Sequence, residues 1–205
     1  MRGLNRLFAF ALVLAPVALG TAHTARADGA KTFKVDASGA SSIQFVSDAP
    51  LEKFTGKSTS ISGEIKVDPS KPSSGKADIK VDAASIKTNL ELRDEHLRGE
   101  NWLDAKKYPN ARLVITKIGG ADKLKANDVT EVTVQGKFTL HGVTKDVSTK
   151  AKVRYTPGEG SKEALRVQSS FTVHLEDYKI SIPSIVALKV SPDIVVNVDL
   201  KAARD

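Results

Sequence analysis

The chain has 205 residues, a formal net charge of +7, no cysteine and only 5% aromatic residues. Without cysteine there is no disulfide framework, no thiolate nucleophile and no Cys-ligated zinc or iron–sulfur cluster. The length suits one core or one closed barrel. Lysines and acids interleave along the chain, rather than forming the basic stripe with exposed aromatics that nucleic acid selects.

Arg2 and Arg6 precede an uncharged apolar run at residues 7–19, and Ala25-Arg26-Ala27 places small residues where a signal peptidase cuts. The run falls short of the roughly 20 residues of a membrane span. Residues 1–27 are therefore expected to be a cleavable signal peptide, with the mature domain covering residues 28–205. Export to a bacterial periplasm fits a chain free of cysteine. Removing the three leader arginines leaves a charge of +4, which allows at most peripheral contact with anionic headgroups.

The mature chain then reads as strand patterns. Residues 32–35 form a short one; Ile43, Phe45 and Ser47 alternate in the next. Ile61, Gly63, Ile65 and Val67 follow, closed by the turn-rich stretch 68–75, and Ala77, Ile79, Val81 and Ala83 return. Residues 84–108 interrupt the rhythm. Their charged residues around Leu90 and Leu97 suit a helix capped by Asn89, continued through Trp102 and Leu103 and stopped by Pro109. Such an insertion either lids one end of a barrel or is an ordinary surface connection.

Leu113 and Ile115 resume the strands. Val132, Val134, Phe138 and Leu140 share one face, as do Val147, Ala151, Val153 and Tyr155 beyond a short Gly142-containing turn. That is an antiparallel hairpin with one wet and one dry face. After the turn at residues 157–160 come Leu165, Val167, Phe171, Val173 and Leu175, and finally Ile194, Val196, Val198 and Leu200. Roughly eight strands without a βαβ rhythm predict an all-β antiparallel barrel or sandwich. Lys, Asp and Glu on the polar faces exclude an outer-membrane barrel, where each would cost about 2–4 kcal/mol at the midplane.

Motifs for catalysis are missing: the sequence has no Gly-x-Ser-x-Gly elbow and no phosphate-cradling loop. His96, His141 and His174 lie in separate elements, without zinc-site spacing. The expectation is a non-enzyme without metal or cofactor. An enzyme built on His96 with Arg93 and Asp94 is the outlying alternative.

Four segments in order carry a resemblance: Asp82-Ala83-Ala84-Ser85-Ile86-Lys87-Thr88, Arg93-Asp94-Glu95-His96-Leu97-Arg98, Trp102-Leu103-Asp104-Ala105-Lys106-Lys107-Tyr108-Pro109, and Leu140-His141-Gly142-Val143-Thr144-Lys145. Together they resemble the YceI-like family of bacterial periplasmic proteins, over essentially the whole mature chain. The resemblance implies an extended, lipocalin-like, eight-stranded antiparallel barrel with a short helical insertion, and an apolar tunnel for a polyisoprenoid, isoprenoid quinone or fatty-acid amide type of lipid. The chain departs from the family where Phe-Gly is common, carrying Tyr178-Lys179 followed by Ile182-Pro183-Ser184-Ile185-Val186.

Period-2 alternation assigns the tunnel wall to Phe45, Ile65, Ile79, Val134, Phe138, Phe171 and Val173, with Gly63, Gly136 and Ser169 leaving room along the axis. Leu97 and Trp102 would close one end. Arg93 and His96 are the polar contacts for a headgroup, with Tyr178 opposite; alternatively Arg93, Asp94 and His96 satisfy one another and nearby backbone. His141 is expected to be a locally bonded turn residue. A stress-response or interaction protein with a packed barrel and no obligatory ligand shares this fold. Exposed strand edges leave a homodimer open as a partner, no more than that.

Overall fold

His141 and Gly142 both take positive φ, 50° and 73°, the two-residue hairpin geometry whose twist matches that of the flanking strands. Around this turn the longest pair of the fold is built, running in register from Leu140↔Val143 to Val129↔Arg154. The computed structural model describes residues 29–159 and 162–204; the expected signal peptide lies outside them, and the turn at 157–160 leaves them at Gly160.

The strands are β1 (Lys31–Val35), β2 (Ser42–Asp48), β3 (Lys53–Ser58), β4 (Ile61–Val67), β5 (Lys76–Asp82), β6 (Asn110–Gly119), β7 (Val129–Leu140), β8 (Val143–Thr156), β9 (Ala164–His174) and β10 (Asp193–Arg204), with one helix, α1 (Glu91–Arg98). β1 and β2 pair in succession with the two ends of β10, while β4 and β3 pair with β1 and β2. The first four strands are thus two kinked staves. With β5 to β10 they close an eight-stave antiparallel barrel. At the kink, Ser41 Oγ accepts from the Lys201 N–H at 3.0 Å, and the Lys201 carbonyl accepts from Ser41 Oγ at 3.2 Å and from the Asp36 N–H at 2.8 Å, so this backbone keeps its partners where the stave breaks. The outer edge of β3 is bridged at a single point, Lys57↔Lys87.

Three details depart from the sequence reading. β3 was not visible in it, because its inward positions are Phe54, Gly56 and Ser58, which do not alternate as apolar residues. A Cβ on Gly56 would stand 2.1 Å from the Phe45 ring, so any larger residue there displaces that ring. The helix covers eight residues rather than the whole interruption. Asn89 is no cap but takes φ 65°, Leu90 holds the N-cap position, and Gly99 turns extended. Leu103 and Ala105 then fold back to donate to the carbonyls of Leu97 and Arg98 at 3.0 Å each, which serves the exposed helix end. Finally, Gly63 and Gly136 leave no room along the axis. A Cβ on either would lie 2.1 and 2.0 Å from the Asp78 and Val114 carbonyl oxygens of the adjoining strand, so both permit close backbone approach.

The two ends of the barrel differ. One is closed by a core around Phe33, Val35, Leu124 and Leu165. There Glu163, fully buried, accepts from Lys31 Nζ and Tyr155 OH at 2.5 Å each and from Arg204 at 2.9 Å. The first strand, β8 and the last strand are tied to one carboxylate. Burial pushes the Glu163 carboxyl up, but these hydrogen bonds outweigh it and hold it at about 2. The other end carries the β2–β3 turn, α1, the β7–β8 turn and the long segment between β9 and β10.

Candidate ligand-binding cavity

Inward side chains of an eight-stave barrel either meet at the axis or stand apart. Here they stand apart: a cavity of about 730 Å³ opens at the end carrying α1. Phe45, Ile79, Phe138, Phe171 and Val173 line it from the strands, and Arg93, His96, Leu97 and Trp102 from the helical insertion. The interior is hollow, unlike the packed barrel of the alternative reading.

Ile65 and Val134 belong elsewhere. They line a second, apolar cavity of about 90 Å³ toward the closed end, together with Ser169. Ile79, Leu113, Phe171, Val198 and Leu200 face both spaces and form the partition between them. Phe171 stacks edge-on against Phe138 at 5.3 Å between centroids.

Tyr178 lines neither cavity. It is buried and packs behind Phe138, ring centroids 5.7 Å apart, because the turn after β9 tucks it beneath the wall. Burial pushes its phenol up. His141 is also not bonded locally: its Nδ1 meets the Tyr178 carbonyl at 3.0 Å, and its ring packs on Tyr108 at 5.0 Å. The residue after β7 thereby ties the hairpin tip to two other loops.

At the mouth, Arg93 is already committed. Its guanidinium donates to Glu52 at 2.6 Å and to the Thr88 hydroxyl at 3.0 Å, and lies 4.2 Å over the Phe54 ring, within reach of a cation–π interaction. Asp94, buried, accepts from the N–H and hydroxyl of Thr88 at 2.6 Å each. Burial raises the Asp94 carboxyl, yet the Thr88 hydrogen bonds bring it below the usual range. Arg93 and Asp94 therefore converge on Thr88 and fix α1 to the rim, while His96 sits exposed at the mouth outside this network.

Sequence reasoning missed several lining residues. Leu113, Val198 and Leu200 were legible in the strand alternation. Phe54 was not, and Ile180, Val186 and Val190 come from a segment without period.

A family model, the YceI-like domain, matches residues 33–202. The chain belongs to the YceI-like family. A UPF0312 protein of Pseudomonas putida (strain W619) is 31% identical over 187 residues, 88% of this chain and 93% of the relative. One from Shewanella denitrificans is 35% identical over 133 residues, 64% of this chain and 65% of the relative. Among solved structures, Burkholderia cenocepacia BcnA superposes with a TM-score of 0.68 at 23% identity, covering 82% of this chain and 99% of that one. A polyisoprenoid binding domain from Saccharophagus degradans reaches 0.68 at 20% identity, with 84% and 98% covered. The Campylobacter jejuni YCEI protein reaches 0.60 at 26% identity, with 73% and 84% covered. This YceI-like chain shares their barrel.

Proposed function

We propose that this protein binds a long-chain amphiphilic lipid, of polyisoprenoid, isoprenoid quinone or fatty-acid amide type, with the tail in the main cavity and the head at the α1 mouth. The observation that carries the reading is the open, apolar-walled space of about 730 Å³. At about 30 Å³ per water-sized group it has room for roughly two dozen such groups, about five isoprene units. Twenty buried methylenes contribute about 16 kcal/mol, against an estimated association cost of about 4–15 kcal/mol. A short acyl group would not overcome that cost. The related barrel from Saccharophagus degradans, described as a polyisoprenoid binding domain, supports the same ligand class.

The reading is non-catalytic and involves no cofactor. Arg93 and Asp94, the polar groups that an enzyme on this rim would use, hold the helix in place. His96 remains to face a ligand head. Residues 1–27 support export to the periplasm, where such a carrier meets envelope lipids. The test is mass spectrometry of gently extracted protein together with fluorescent lipid binding. Phe138→Asp places a charge in the apolar wall at a cost of several kcal/mol unless it protonates, and should abolish capture. No co-purifying lipid and no probe binding, or a folded Phe138→Asp that binds as wild type does, overturns the proposal.

A further inference from the structure

Between β9 and β10, residues 180–192 contain no acid and one cation, Lys189. Ile180 anchors the segment, 1% exposed, whereas Ile185 and Leu188 point outward at 89% and 58%. Leu51 of the β2–β3 turn, 68% exposed, donates its N–H to the Leu188 carbonyl at 2.9 Å. Leu90 and Leu92 are exposed beside α1. Among the described residues, five of the seven exposed large hydrophobics thus gather at one end of the barrel. Scattered exposed aliphatics need no explanation, but a cluster does. Leu90, Leu92 and Ile185 also line the cavity, so the same side chains face both the interior and the solvent.

We propose that this rim docks onto a lipid bilayer. Leu51, Ile185 and Leu188 enter the acyl boundary, and Lys189 stays among the headgroup phosphates, where its stem can lie along apolar surface while its ammonium remains wet. The partner is a bilayer rather than a protein for three reasons. The exposed hydrophobic set is purely aliphatic, without the aromatic anchors of protein interfaces. It protrudes from separate segments around an opening instead of forming a flat face. An acid-free loop with one lysine also complements an anionic leaflet. Glu91 and Glu95 on α1 keep that side of the mouth at headgroup depth, so the 180–192 side inserts further. The inference rests on the lipid-binding reading: a guest with a long tail resides in bilayers, and a mouth seated on one spares it a passage through water.

The experiment is flotation of the mature protein with vesicles of phosphatidylethanolamine and phosphatidylglycerol containing no guest. Alongside it run fluorescent lipid binding in solution, thermal melting and light scattering. Leu51 and Leu188 line neither cavity, so the double variant Leu51→Asp/Leu188→Asp should melt and bind probe as wild type does while its floated fraction falls about tenfold or more. Lys189→Glu should weaken flotation as the phosphatidylglycerol content rises. Failure of the wild type to float, or equal flotation of the double variant, overturns the proposal. So does a wild-type dimer that the double variant converts to monomer without changing flotation, since the rim would then be a contact between copies. Flotation without probe binding would refute the lipid-binding reading instead and leave the docking surface standing.

Discussion

Phe171→Ala should lengthen the chain that the barrel accepts. Phe171 faces both the main cavity and the inner one of about 90 Å³, so removing its ring joins the two. The inner space alone holds about three water-sized groups at about 30 Å³ each. Three more buried methylenes are worth about 2 kcal/mol, or roughly thirtyfold in Kd. The same change costs stability: Phe→Ala in a core removes about 3–5 kcal/mol. The low end applies because the ring already borders both empty spaces. Competition of a graded series of alkyl or isoprenyl amides against a fluorescent probe reads the first effect, and urea unfolding the second. Wild-type affinity should rise with chain length and level off, and in the variant the plateau should move out by about three methylenes or more. An unmoved plateau in a folded variant would show that Phe171 does not limit the tunnel.

Glu163→Gln tests the closed end. The folded carboxyl titrates at about 2, below its ordinary 4.5, so its contribution is complete above pH 4.5 and fades as pH falls through about 2. Linkage puts it at about 3 kcal/mol at neutral pH, and urea midpoints of wild type and variant should converge on acidification. Asp94→Ala leaves the Thr88 N–H and hydroxyl without their acceptor, at about 1–3 kcal/mol; amide exchange should quicken in α1 while the β7–β8 pair stays protected. His174 is held above its ordinary pKa by its hydrogen bond to Asp193 at 2.7 Å. That pairing is therefore complete below the usual histidine range and lost as pH rises through the elevated value. In Asp193→Asn, an NMR titration of His174 should move down; an unchanged midpoint would reject Asp193 as the cause.

The sequence alone determined which side of each long strand is dry. Alternation at Val132, Val134, Phe138 and Leu140, and again at Leu165, Val167, Phe171 and Val173, is a local property, and so is the hairpin turn at His141-Gly142. Ordered motifs brought the family into view in the same way. Tertiary structure decided what those faces enclose. β3 exists because β2 and the 83–88 segment flank it, not because its own residues alternate. α1 ends at Arg98 because the following turn folds back on it. Arg93 is engaged by Glu52, 41 residues away, and Tyr178 is hidden behind a wall residue from β7. Above all, period 2 says that Ile65 and Phe138 both point inward. Which of two cavities each one lines depends on height along the axis and on how far opposite staves stand apart. Strand number, tilt and stagger fix those distances, and they belong to the closed barrel rather than to any stretch of its sequence.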